Sequence, residues 1–171
     1  MKRNRFWLTY ILLTLLQILL CNYLHLPFYI MLTVLPVIVL LMPIRFGTTF
    51  SLIVAFITAL TVDFLAEGVI GLNALALLPV AFCRRSIIKL VFGQEIFARK
   101  ENICLSKHGV GKMSIAIVIA LGIFLFIYIL ADGASTRPFW YNFLRFSVSL
   151  LIGWIFGILL APALAQDDRD V

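Results

Sequence analysis

From Phe6 to Ile44 the chain carries no Asp, Glu, Lys or Arg, a stretch of 39 residues. One helix of that length would measure about 58 Å, nearly twice the hydrocarbon thickness of a bilayer. The run has to fold back on itself, and an apolar medium is the environment that tolerates it. Over all 171 residues, 63% are hydrophobic and 13% charged, against about 45–50% and about 25% in an ordinary soluble domain. That balance excludes a water-soluble enzyme core, a disordered regulator and a fibrous repeat. It predicts an all-α, polytopic integral membrane helical bundle, with residues 1–171 as a single transmembrane domain.

Breaks in the apolar runs place about six transmembrane helices, at about 6–24, 28–44, 46–66, 72–83, 113–131 and 143–165. The first turn is marked by Asn22, His25 and Pro27 together with the interface anchors Tyr23 and Tyr29. Pro36 is expected to kink the second helix, and Pro43 with Gly47 to end it. Residues 84–112 read as a cytoplasmic basic loop and 132–138 as a short outer loop. In this scheme only Arg137 and Arg145 of the 14 Lys and Arg residues fall on the outer side. The positive-inside bias puts both termini in the cytoplasm, N-in and C-in. The net charge of +6 therefore needs no nucleic acid, since these residues serve topology and contacts with anionic membrane lipids. Met1–Arg5 precedes an apolar run with no small-x-small cleavage site, so the first helix reads as an uncleaved start-transfer segment. Cys21, Cys83 and Cys104 have neither disulfide-framework nor metal-like spacing.

Two helices carry stripes of small residues. In the last span Ser149, Gly153, Gly157, Ala161 and Ala165 recur every fourth residue, with a GxxxG at the centre. Such a stripe admits a close backbone, either that of another helix in the same bundle, which so common a motif favours, or that of a partner's helix. In the third span Ser51, Ala55, Ala59 and Asp63 are also four apart, which puts an intramembrane carboxylate on the small-residue face rather than toward lipid. Asp63 reads as a structural hydrogen-bond clasp to the following loop and helix, for instance to Asn73, or as a proton- or cation-coupled site. Gln17, Thr58 and Thr61 suit interhelical hydrogen bonds. After the fourth span Arg84, Arg85 and Lys89 stand opposite Ile87, Leu90 and Val91, as in an amphipathic extension on the inner leaflet or a stop-transfer flank. His25 and His108 are isolated, and the sequence has no catalytic triad, HExxH or P-loop pattern. Neither an enzyme nor a bound cofactor or metal is expected.

Thr61-Val62-Asp63-Phe64-Leu65, followed by Gly71-Leu72-Asn73-Ala74-Leu75-Ala76-Leu77 and by Arg84-Arg85 where the helix exits, resembles the signature of the rod shape-determining protein MreD family. Length, span number and Gln17 early in the first helix extend the resemblance over nearly the whole chain. Thr58 and Ala59 stand where relatives often have glycine, and the insert 94–112 is long. The resemblance implies a non-enzymatic multi-pass subunit of the bacterial cytoplasmic (inner) membrane. Such a subunit binds an MreC-like bitopic protein and connects a class B penicillin-binding transpeptidase and the glycosyltransferase RodA, which make peptidoglycan, to the actin-like MreB. Its candidate structural or partner-binding residues are Asp63, Gly71, Asn73, Arg84, Arg85, Ser149, Gly153, Gly157 and Ala161. The family's fold is also similar to substrate-binding subunits of energy-coupling-factor vitamin transporters, the alternative expectation.

Overall fold

The structure, a computed structural model, describes residues 2–23, 31–44, 46–94, 96, 105–133 and 138–164. Every regular element among them is helical: α1 (Lys2–Tyr23), α2 (Leu35–Leu40), α3 (Thr48–Val62) with a π-helical continuation at Asp63–Glu67, α4 (Leu72–Phe92), α5 (Leu105–Gly133) and α6 (Phe139–Leu164). Among the described residues, three segments are long and apolar enough to cross a membrane, Thr48–Ala66, Gly109–Asp132 and Phe139–Pro162, and α1 adds the shorter apolar stretch Trp7–Tyr23.

The bundle is organised around its shortest helix. Every residue from Leu32 to Pro43 is buried, and α2 packs against α4 and α5 with α1, α3 and α6 closing the remaining sides. α1 turns Tyr10, Leu13 and Gln17 inward and leaves Leu8, Leu12, Leu15 and Leu19 exposed. The Tyr10 hydroxyl lies 2.6 Å from Thr58 Oγ1, joining α1 to α3.

Several boundaries differ from the sequence reading. Of the expected helix 28–44, only Leu35–Leu40 is helical among the described residues, and 31–34 are not. Pro36 lies in the first turn of α2 instead of kinking a longer helix; its fixed φ suits a helix start. Pro43 brackets the other end, because it has no N–H to donate and disfavours helical backbone at Met42. Six residues rise only about 9 Å, so α2 does not span a bilayer by itself. The described residues of the expected loop 84–112 are largely helical. α4 continues past Arg84 and Arg85, where no breaker intervenes, until Gly93 leaves the helix at φ 87°. α5 starts at Leu105, bends where Gly109 takes φ 79°, and runs on through Asp132. Expectations at His25, Pro27, Tyr29, Cys104, Arg137 and Ala165 lie outside the described residues, as does the side chain of His108.

Candidate functional site

Asp63, at the junction of α3 with its π-helical turn, is fully buried. Its Oδ1 accepts the main-chain N–H of Asn73 at 3.0 Å and Asn73 Nδ2 at 2.9 Å. Oδ2 accepts the N–H of Gly71 at 2.9 Å and, at a longer 3.4 Å, that of Ala74. The first amides of a helix have no acceptor within it and carry its positive dipole end, so a carboxylate here satisfies both demands. Four donors occupy the roughly four acceptor positions of a carboxylate. Close approach is possible because the rest of that α3 face, Ser51, Ala55 and Ala59, is small and fully buried. Gly68 N–H closes the π turn on the Asp63 carbonyl at 2.9 Å. Gly68 and Gly71 then reverse the chain in the left-handed region, at φ 72° and 99°. An alanine at Gly71 has to adopt that conformation, so Gly71→Ala is expected to cost about 1–2 kcal/mol. Chemical denaturation of the purified chain in detergent would measure it.

A second set of polar side chains serves the backbone around α2. Gln17 Oε1 accepts from Val34 N–H at 2.8 Å while Gln17 Nε2 donates to the Leu32 carbonyl at 3.1 Å. Ser149 Oγ accepts from Met31 N–H at 2.9 Å. At the far end Arg84, only 5% exposed, donates Nε to the Leu40 carbonyl at 3.1 Å and its NH2 group to the carbonyl of Met42. Non-helical backbone inside an apolar bundle is tolerated where protein groups satisfy it, and these three residues do so. Each buried group left unpaired costs about 1–3 kcal/mol. Gln17→Leu strands one donor and one acceptor and is expected to lower the unfolding free energy by about 2 kcal/mol or more, read as a lower denaturation midpoint.

The inward turn of Arg84 corrects its reading as a solvent-side exit residue. On α4 the buried stripe is Leu77, Val80, Ala81, Arg84, Ile87 and Ile88, whereas Arg85, Lys89 and Leu90 are exposed. The amphipathic pattern therefore has Arg84 on the apolar side and Leu90 on the polar one.

The stripe on α6 is occupied by the chain itself. Ser149, Gly153, Gly157 and Ala161 are all buried. A Cβ on Gly157 would lie 2.8 Å from Ile117 Cγ2 of α5 and 3.1 Å from Val37 Cγ2 of α2. One on Gly153 would meet the Leu121 methyls at 3.3 and 3.4 Å. Two further links join α5 to α6. Trp154 Nε1 donates to Ser114 Oγ at 2.5 Å. Arg145 pairs with Asp132 at 2.5 Å and lies 5.9 Å from the Tyr128 ring centre. The ion pair was hidden from the sequence reading because Asp132 was assigned to a loop.

A cavity of about 220 Å³ is lined by Gly47, Thr48 and Ser51 at the start of α3 and by Ala81, Arg84 and Arg85 on α4, among others. The structure thus separates two groups of the expected site residues: Asp63, Gly71 and Asn73 meet at one end of α4, and Arg84 and Arg85 stand three turns away. Among the described residues, no three His, Cys, Asp or Glu side chains are placed to hold a metal ion. No known protein-family model matches the chain, and comparison with curated proteins and with solved structures gave no significant match.

Proposed function

We propose that the chain is a non-enzymatic, multi-pass scaffold of the bacterial inner membrane, of the kind MreD provides in the cell-elongation complex, and that it binds an MreC-like single-pass protein. The observation that supports this reading over transport is the state of Asp63. Its oxygens are taken up by the amides of Gly71, Asn73 and Ala74 and by the Asn73 side chain. A carboxylate so engaged shapes a hairpin and has little capacity left for a substrate or a coupling ion. The cavity does not take in Asp63 either, since eleven residues of α4, about 16 Å, separate Asn73 from Arg84. In this reading the partner contacts a face other than the α6 stripe, which α5 and α2 already fill.

Co-expression of the tagged full chain with the MreC-like protein of the same genome tests the proposal. Stoichiometric co-purification in mild detergent is expected. A folded, monodisperse chain that recovers no MreC-like protein would overturn the scaffold reading, and saturable thermal stabilisation by a vitamin would replace it with the transport one.

A further inference from the structure

The helices of the bundle end at different heights on the side away from Arg85 and Lys112. Heights follow from the side chains that tie one helix to the next, at about 1.5 Å per helical residue. Val37 of α2 and Ile117 of α5 both lie against Gly157 of α6 and share one level. Arg84 bonds the carbonyls of Leu40 and Met42, and Leu40 is about 4 Å below Val37. The eleven residues from Arg84 to Asn73 then raise the start of α4 to about 12 Å above Val37. A second route through α1 agrees. Gln17 bonds Leu32 and Val34, about 5 Å above Val37. Asn22, five residues further along α1, donates to the Leu65 carbonyl at 3.3 Å, which again puts the end of the hairpin at about 12 Å. Phe139, by contrast, is 18 residues beyond Gly157, at about 27 Å. Residues 68–71 add about one helical turn, 5 Å, so the α3–α4 hairpin stops about 10 Å short of the start of α6. Arg85 and Lys112, both exposed, lie about 6–8 Å below Val37. From their level the bundle is about 24 Å tall at the hairpin and about 35 Å tall at α6, on either side of the ~30 Å of a hydrocarbon core.

A span that is too short is met by tilting, by sinking its end into the acyl layer, or by thinning the bilayer. α4 is packed along α5 and cannot tilt by itself. Sinking is opposed by the irregular backbone of the turn and by Glu67, the charged residue of 64–72, since neither belongs among acyl chains. The turn is nevertheless made for lipid contact: Phe64, Leu65, Val69, Ile70 and Leu75 are all exposed. We propose that the chain thins the bilayer on one side, the headgroups opposite Lys112 dipping to meet the α3–α4 turn while the leaflet around α6 keeps its full thickness. The lipid that fits the hairpin face is a phospholipid with short acyl chains. α6 touches neither α3 nor α4 among the described residues, which leaves room for two lipid environments. Phe139 and Trp140, exposed at the start of α6, suit the headgroup level of the taller side. The proposal rests on the membrane part of the reading above and not on the MreC-like partner.

The test places the photoreactive residue benzoylphenylalanine at Ile70 of the full chain and, separately, at Leu144, which is exposed on α6 at about 20 Å, close to the height of the turn. Val69 serves as a second position on the turn should the first variant fold poorly. Each protein is reconstituted into vesicles containing equal amounts of dimyristoleoyl- and dierucoyl-phosphatidylcholine, which share a headgroup and differ in chain length. After irradiation, mass spectrometry reads the ratio of short-chain to long-chain adducts. That ratio is expected to be about threefold higher at the turn than at Leu144, because mismatch costs a fraction of a kcal/mol per ångström. Equal ratios at the two sites overturn the proposal. Lipid adducts at Leu144 with none at either turn position also overturn it, because protein then covers the turn. Absence of lipid adducts at Leu144 as well takes the bundle out of the bilayer, so the membrane reading falls with it, whereas failure to recover an MreC-like protein leaves the expected ratio untouched.

Discussion

Asp63→Ala is expected to lower the unfolding free energy by about 4 kcal/mol or more. The substitution leaves the N–H groups of Gly71 and Asn73 without the carboxylate that now accepts them at 2.9 and 3.0 Å. Hydrogen bonds to a charged group are worth about 1.5–3 kcal/mol each. It also frees the Asn73 side chain in a buried position and removes the negative charge from the start of α4. Asp63→Asn is the informative companion. Its single carbonyl oxygen serves one pair of donors, while its amide group faces the other pair as a donor against donors. An intermediate loss of about 2 kcal/mol is expected. Denaturant titration of the purified protein in detergent, followed by tryptophan fluorescence, measures both. A ligand or proton role for Asp63 would give a different result: Asp63→Asn unfolding at the wild-type midpoint while activity in the cell is lost. That outcome would remove the clasp from the account of function.

Gly157→Leu is expected to prevent stable folding. The first added carbon would already fall 2.8 Å from Ile117 Cγ2 and 3.1 Å from Val37 Cγ2, and leucine adds three more carbons behind it. Overpacking a filled core costs about 1–3 kcal/mol in milder cases. Here the obstruction lies against α2, whose burial on all sides leaves it nowhere to move. A graded series separates packing from docking. Gly153→Ala meets only the methyl ends of Leu121, and the roughly 1 kcal/mol gain in helix propensity offsets that contact, so a near-neutral midpoint is expected. Gly157→Ala should cost about 1–2 kcal/mol and Gly157→Leu should yield little monodisperse protein by size-exclusion chromatography. If Gly157→Leu folds normally but no longer recovers an MreC-like partner, the stripe is a docking face after all, and its contacts with α5 and α2 do not persist in the complex.

The hairpin at Asp63 was legible in the sequence for a local reason. An acidic residue in an apolar run, four residues beyond Ala59 and Ala55, can lie only on the face that a neighbouring helix covers. Gly71 and Asn73 follow within one short turn. What was not visible there was the number of main-chain donors, because amides carry no mark in a residue string. α2 shows the opposite case. Hydropathy reads residues 28–44 as a spanning helix. The seven-residue spacing of Pro36 and Pro43 was the available sign that little helix fits between them. Its supporting partners are far away in the chain, Gln17 on one side and Arg84 and Ser149 on the other. Arg84 was read by the charge rule that places arginines outside the apolar layer. The periodicity of Leu77, Val80, Ala81, Ile87 and Ile88 with Arg84 in their midst carried the inward orientation, and the charge rule masked it.

The way α2 is supported also orders the assembly of the chain in time. When residues 31–44 leave the ribosome, Gln17 has been made, but Arg84 is still 42 residues from Met42 and Ser149 is 118 residues from Met31. A helix of two turns with open carbonyls cannot enter lipid unaided. It has to wait at the interface, or in a protein vestibule, until α4 delivers a guanidinium and α6 a hydroxyl. Nascent chains arrested before Arg84 should therefore remain protease-sensitive around α2. Those extended past Ser149 should acquire protection there in a single late step, so the last helix made completes the burial of the second.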